Sequence, residues 1–179
     1  MEAAADDRKS VPAGGYHGAW PIPLYTSKQD LKNRATLRGL RRNLFDKCDG
    51  PVLLLAVHLC DTLSLRAVDL FNEHEKVRLI ALKPCCLPPM LFAKRGDAFT
   101  VGQHTFDARE VCAPGRFRAG GVWDGPPRAD LIPRFERWTE HLLRGIDVEG
   151  AGGAGGRKAQ HYARVQLKGG YQNQFIFAE

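Results

Sequence analysis

The chain has 179 residues, of which 44% are hydrophobic and 26% charged, and this composition is typical of one globular domain. It contains no run of about 18 apolar residues, and its polar first residues lack the apolar core of a secretory signal, so neither a membrane span nor secretion is expected. The five cysteines are an odd number and two are adjacent, which predicts free thiols in an intracellular, reducing compartment. The net charge of +6 hints at an acidic partner such as RNA.

The N-terminal region is predicted to be a flexible arm, residues 1–26, because it is rich in glycine and proline and shows no periodicity. A helix is predicted from Ser27 to Phe45, with Ser27 and Asp30 as a capping pair. One apolar stripe follows the helical spacing and consists of Leu37, Leu40 and Leu44.

Two apolar segments then predict a βαβ unit. The first, 52–60, is apolar on both faces, as expected of a strand that helices cover on both sides. Asp61 and Thr62 are expected to cap a helix that runs to about His74. The second strand is predicted at 77–83, where Pro84 ends it.

The rest of the chain predicts an irregular insertion and a closing hairpin. The insertion, at about 85–127, contains a short hairpin near Gly102. A helix is predicted at 128–146 and a Gly-rich loop at 149–158. The last residues read as two antiparallel strands joined by a glycine turn. Residues 27–179 are therefore expected to form one α/β domain.

Two segments of this unit resemble one family of enzymes. VHLCDTLSLRAVDLF is similar to the HLCG-type segment, and ALKPCCLPP to the Pro-Cys-Cys element, of a methyltransferase-like family that includes tRNA-modifying enzymes. The two segments lie within residues 57–89 of the 179, so the resemblance covers a small part of the chain. It implies a Rossmann-like methyltransferase sheet, class I and dependent on S-adenosylmethionine, that ends in an antiparallel β-hairpin.

The resemblance also implies a cofactor site of which this sequence holds only one part. Leu59, Cys60 and Asp61 correspond to the side of the site where the adenine lies. The family usually has glycine where this chain has Asp61. Its Gly-rich cofactor loop and its acidic strand end find no place before Ser27, so the sheet is expected to be truncated at its N-terminal half. S-adenosylmethionine is then expected only if upstream sequence completes the site.

The candidate catalytic residues are His58, Asp61 and Cys85. His58 and Cys60 alternate along one strand, so both are expected to point to the same face at the sheet edge where ligands bind. There His58 and Asp61 would orient or deprotonate the acceptor. The alternative is a core histidine with a backbone partner beside an N-cap aspartate.

No metal site is predicted. Cys85 and Cys86 are adjacent, and neighbouring side chains on an extended chain point to opposite faces, so both are not expected to join His58 and Cys60. The C-x₂₋₄-C spacing of structural zinc sites is also absent. Buried free thiols are the preferred interpretation.

The predicted first helix concentrates positive charge and is the candidate RNA-binding surface. Its proposed phosphate contacts are Lys28, Lys32, Arg34, Arg38, Arg41 and Arg42. A solvated helix face is the alternative interpretation.

Two functions remain open on the sequence alone. The first is a methyltransferase-type domain that acts on RNA. The second is a non-catalytic relative that serves as a structural or interaction subunit of a larger assembly such as a ribonucleoprotein. In both cases a protein partner or self-association is expected to cover the open edge of a truncated sheet.

Overall fold

The computed structural model describes residues 9–10, 25–26, 29–147, 162–166 and 172–179. The predicted arm and the Gly-rich loop at 149–158 lie almost wholly outside these residues. Ten strands are assigned in chain order: β1 Lys9–Ser10, β2 Tyr25–Thr26, β3 Val52–Leu59, β4 Val77–Pro84, β5 Ala98–Val101, β6 His104–Asp107, β7 Arg116–Phe117, β8 Trp123–Asp124, β9 Tyr162–Gln166 and β10 Gln174–Ala178. The four α-helices are α1 Arg34–Leu40, α2 Leu63–Glu73, α3 Met90–Arg95 and α4 Ile132–Arg144.

The main sheet has four strands in the order β3-β4-β10-β9. β3 and β4 are parallel, with Leu55 beside Ala81, and α2 connects them. β10 is antiparallel to both β4 and β9. The predicted βαβ unit and the predicted closing hairpin are therefore both present. The part of the chain that the structure describes is a mixed α/β fold with a small mixed sheet.

One face of this sheet is covered by α2 and α4. Ile80, Leu82 and Ile176 lie on that face and are fully buried. They belong to the same core cluster as Phe71 of α2 and Trp138 of α4. Burial of large apolar side chains of this kind stabilises each position by roughly 1.5–3 kcal/mol.

The opposite face of the sheet is open. Leu53, Leu55 and Val57 of β3 are 55%, 65% and 50% exposed. Phe177 of β10 continues this face, paired with Ala81 across the sheet, and is 39% exposed. The expectation that helices cover β3 on both sides is wrong for the described residues, because α2 and α4 both pack on one side. We call the side chains of Leu53, Leu55, Val57 and Phe177 the open face.

The first helix is shorter and less regular than predicted. It begins at Arg34, because Asn33 caps it by accepting a hydrogen bond from the Ala35 amide at 2.8 Å. After Leu40 the helix widens into one π-helical turn, Arg41–Phe45. The extra residue brings Phe45 into the core, whereas Leu44 of the predicted stripe is 52% exposed.

The insertion after β4 is more ordered than predicted. α3 follows Pro89 and ends at Gly96, whose φ of 71° is left-handed. The predicted hairpin is present as β5 and β6, and Gly102 takes the positive φ of its turn. The small hairpin of β7 and β8 was not predicted. Among the described residues, no helix is both long enough and apolar enough to cross a bilayer.

Candidate functional site at the ends of the parallel strands

The parallel strands β3 and β4 end side by side, and β3 ends in a bulge. Val57 pairs with Lys83 and Leu59 with Pro84, so His58 is the extra residue on β3. Its φ is 59°, which breaks the regular alternation of side chains. The argument that placed His58 and Cys60 on one face by alternation therefore does not hold.

Backbone strain is concentrated in this segment. His58 and Asp61, with φ of 59° and 58°, are the two non-glycine residues at positive φ within the described ranges. Such a conformation costs on the order of 1–3 kcal/mol at each residue and is retained where the surroundings enforce it. Both positions coincide with candidate catalytic residues named from the sequence.

Three thiols meet between the two strand ends. The Sγ atom of Cys60 lies 3.3 Å from that of Cys85 and 3.5 Å from that of Cys86. Cys85 and Cys86 are 3.6 Å apart, sulfur to sulfur. The prediction that Cys85 and Cys86 diverge is wrong, because Pro84 ends the extended strand and the chain turns before the second thiol.

The three thiols differ in exposure. Cys85 is buried, Cys86 is half-buried and Cys60 is exposed, so the group is reached from the side of Cys60. Burial, followed by the neighbouring thiols, raises the pKa of Cys85, and burial raises the pKa of Cys86. The Gln172 side-chain amide donates to the Cys85 carbonyl oxygen and so ties this loop to the residues that precede β10.

Asp61 has one paired and one unpaired carboxylate oxygen. Its Oδ2 accepts a hydrogen bond from the Lys32 ammonium at 2.9 Å. Its Oδ1 is buried and has no hydrogen-bond partner among the described residues. A buried polar atom without a partner is costly, so Oδ1 is a position where a bound donor would be stabilised.

The expected cap of α2 is not formed by the predicted side chains. Thr62 occupies the N-cap position without a side-chain hydrogen bond. The Ser64 hydroxyl instead donates to the Leu59 carbonyl oxygen at 3.3 Å. The turn into the helix is closed by the Leu63 amide, which donates to the Cys60 carbonyl oxygen at 3.2 Å, and Asp61 within this turn forms its ion pair with Lys32.

The candidate phosphate contacts are solvent-accessible where they are described. The exposed residues are Lys32, Arg34, Arg38, Arg41 and Arg42, and Lys28 lies outside the described residues. Lys32 differs from the others, because its ion pair with Asp61 brings the start of the basic segment, residues 32–42, to the end of β3. Lys32 therefore links the start of this segment to the end of β3, whereas Arg41 lies near His74, which precedes β4.

A second polar cluster was not predicted as such. His104 Nε2 lies 2.8 Å from His141 Nδ1, and His141 Nε2 lies 3.4 Å from a Glu110 carboxylate oxygen. The His141 ring stacks on Phe106 with centroids 3.9 Å apart. Burial lowers the pKa of His141 against the opposing effect of Glu110. His141 lies within the helix predicted at 128–146, but no local pattern in the sequence indicates its pairing with His104.

The strand ends thus bring together Cys60 with Cys85, and Asp61 with the basic segment. Cys86 was missing from the candidate residues, although its adjacency to Cys85 was the available signal. His58 joins the site through its backbone, since its carbonyl oxygen accepts a weak hydrogen bond from Cys60 Sγ at 3.8 Å.

None of the protein-family models, curated proteins or solved structures compared with this chain matches it.

Proposed function

We propose that this chain is the C-terminal part of a methyltransferase-type α/β domain that uses S-adenosylmethionine and acts on RNA. In this proposal the strand ends supply the acceptor side of the active site. A further strand-and-helix segment pairs with β3, covers the open face and brings the Gly-rich cofactor loop.

The order of the strands supports the assignment. A class I methyltransferase sheet has two parallel strands joined by a helix, and a final hairpin then inserts an antiparallel strand. The order β3-β4-β10-β9, with α2 between the parallel strands and β10 antiparallel to β4, has this pattern. The resemblance of the HLCD and Pro-Cys-Cys segments falls on the ends of β3 and β4.

The open face is the observation that carries the proposal. Leu53, Leu55 and Val57 are each at least half exposed on β3, at the edge of the sheet. An apolar parallel strand is normally covered on both faces, and an uncovered edge strand invites pairing. A parallel strand beside β3, followed by a helix over Leu55, satisfies both requirements.

The chemistry assigned to the acceptor side rests on Asp61. Its buried Oδ1 is free to accept a hydrogen bond from an acceptor amine or hydroxyl, while Lys32 holds Oδ2. A positioned carboxylate removes a proton as the methyl group is transferred, and general bases contribute roughly 10²–10⁴-fold. His58 and Asp61 carry the backbone strain that is frequent at active sites.

The proposal is tested on the assembly that forms around a tagged chain. The isolated assembly is given S-adenosylmethionine with a labelled methyl group and RNA, and labelled RNA is counted. We expect transfer by the wild type and a loss of about 100-fold or more in Asp61→Asn. Asp97→Asn is the matched control, because Asp97 is also a partly exposed carboxylate in one ion pair, with Arg95 at 2.6 Å. Equal transfer by Asp61→Asn and the wild type contradicts the role of Asp61.

Cofactor binding gives an independent test on the chain alone. Of the residues that the structure describes, the resemblance assigns Leu59, Cys60 and Asp61 to the adenine side. The loop and the ribose-binding carboxylate would come from outside, and each charge-assisted hydrogen bond contributes roughly 1.5–3 kcal/mol. Titration calorimetry of the 179-residue chain is expected to show no dissociation constant tighter than about 10 µM. Tighter binding would mean that this chain completes the site itself.

The second candidate function is a non-catalytic subunit of a ribonucleoprotein. The open face favours it equally, because an interaction subunit also needs an apolar docking surface. The two candidate functions predict different results in the methyl-transfer experiment. An assembly that binds RNA and transfers no methyl group supports the non-catalytic subunit.

A further inference from the structure

We propose that Cys60, Cys85 and Cys86 form a binding site for a thiophilic d¹⁰ metal ion, with Zn²⁺ as the reference ion. This site lies at the ends of β3 and β4. It is independent of whether the chain transfers methyl groups.

The triangle of sulfur atoms has the size that such an ion requires. Its edges are 3.3, 3.5 and 3.6 Å. An ion with Zn–S bonds of about 2.3 Å to all three atoms would sit about 1.1 Å out of their plane, with S–Zn–S angles of roughly 100°. These angles are close to tetrahedral, so the three thiols need little movement to bind the ion.

Ordinary thiol packing explains the group poorly. A thiol is a weak donor and a weak acceptor, so three thiols in mutual contact form only weak hydrogen bonds with one another. Two of them come from adjacent residues, and the third from a strand end 25 residues earlier. The strained turn between His58 and Asp61 and the tie from Gln172 to the Cys85 carbonyl hold these segments together.

The metal would keep one coordination position open. Among the described residues, the group of ligand atoms within mutual reach consists of these three cysteines alone. Structural zinc sites usually have four protein ligands, whereas sites that act on a ligand have three and an exchangeable fourth. Cys60 is exposed, so the fourth position is accessible to water or a small anionic ligand from solvent.

The test measures zinc binding by the chain purified under reducing conditions. Bound zinc is counted by elemental analysis, and its affinity is measured by competition with a chromophoric chelator. The variants are Cys60→Ser and Cys86→Ser, which replace the two more accessible ligands. Cys48→Ser is the matched control, since Cys48 is a half-buried thiol outside the cluster that donates to the Gly50 carbonyl oxygen at 3.4 Å. Thermal melting in the presence of chelator checks that each variant is folded.

We expect about one zinc ion per chain in the wild type and in Cys48→Ser. Each cluster variant should lose more than roughly 100-fold in affinity, because even the partners of metal ligands contribute 10–100-fold. Replacement of zinc by Co²⁺ should give thiolate-to-cobalt charge-transfer absorption that Cys60→Ser abolishes. A reduced wild-type chain that binds no zinc overturns the proposal. Wild-type affinity in a folded Cys60→Ser, or a disulfide within the cluster after reducing purification, also overturns it.

Discussion

The two faces of the main sheet have similar residues and opposite surroundings. On the covered face, Ile80 and Leu82 are fully buried under α2 and α4. On the open face, Leu53 and Leu55 of the neighbouring strand keep more than half of their surface in contact with solvent. Within the described residues, an apolar strand therefore does not by itself determine whether both of its faces are covered.

The largest difference is expected in stability, measured with one substitution on each face. Leu82→Ala should lower the free energy of unfolding by about 2–5 kcal/mol, because it leaves a cavity in the packed core. Leu55→Ala removes the same atoms from a side chain that is 65% exposed. It should change the free energy of unfolding by no more than about 0.5 kcal/mol. Chemical denaturation of both variants measures this. A loss of 2 kcal/mol or more in Leu55→Ala would show that the open face is covered within the chain.

The next largest effect is expected in assembly. An apolar edge strand favours association, so the chain should not be a stable free monomer. Light scattering should show self-association of the wild type, which Leu55→Lys reduces by placing a charge on the open face. Val122→Lys is the control, because Val122 is 63% exposed and belongs to none of the strands of the main sheet. A soluble monomer after deletion of residues 1–24 would contradict this prediction.

The third prediction concerns the charged side chains of the basic segment rather than the apolar open face. If the basic segment binds RNA phosphates, binding should be tolerant of sequence and should weaken steeply with salt. Replacement of Arg38, Arg41 and Arg42 by Gln should reduce the slope of log affinity against log salt by roughly 0.7 per lost contact. Filter binding at several salt concentrations measures the slope. An unchanged slope identifies these side chains as a solvated helix surface.

The smallest effect on stability is expected when the pH is changed, and it arises from His141 and His74. Burial lowers the pKa of His141, and burial together with Arg41 lowers that of His74. The unfolded chain then binds more protons than the folded chain below the unfolded pKa of about 6.5. The contribution of these histidines to the free energy of unfolding is complete above about pH 6.5 and should decrease as the pH falls below that value. Denaturation at about pH 7.5 and 5.5 measures this, and His141→Gln should reduce the difference between the two.

Local patterns predicted most of the regular elements. β3, α2, β4, the hairpin at Gly102 and α4 were all expected, because each is an uninterrupted periodic segment bounded by turn residues. α3 was missed, since the insertion at about 85–127 was predicted to be irregular apart from one hairpin. Proline is favoured at helix starts, and Gly96 was the matching signal for the helix end.

The candidate site was predicted in part. His58, Cys60, Asp61 and Cys85 were named because they lie at or just after the C-terminal ends of the predicted parallel strands, and the structure places Cys60 against Cys85. The direction of Cys86 could not be obtained from alternation, because the chain leaves the extended conformation after Pro84. The unpaired Oδ1 of Asp61 depends on tertiary packing that no local pattern encodes.

The left-handed conformation of Asp61 has a consequence for engineering. The resembled family usually has glycine here, and a φ of 58° is one that glycine adopts without strain. Asp61→Gly should therefore relieve the backbone and belongs among substitutions that raise heat resistance. It would also remove the carboxylate that holds Lys32 and presents the free Oδ1. If Asp61 acts as the proposed base, stability and activity compete at this position, and selection for heat resistance alone would favour loss of its carboxylate.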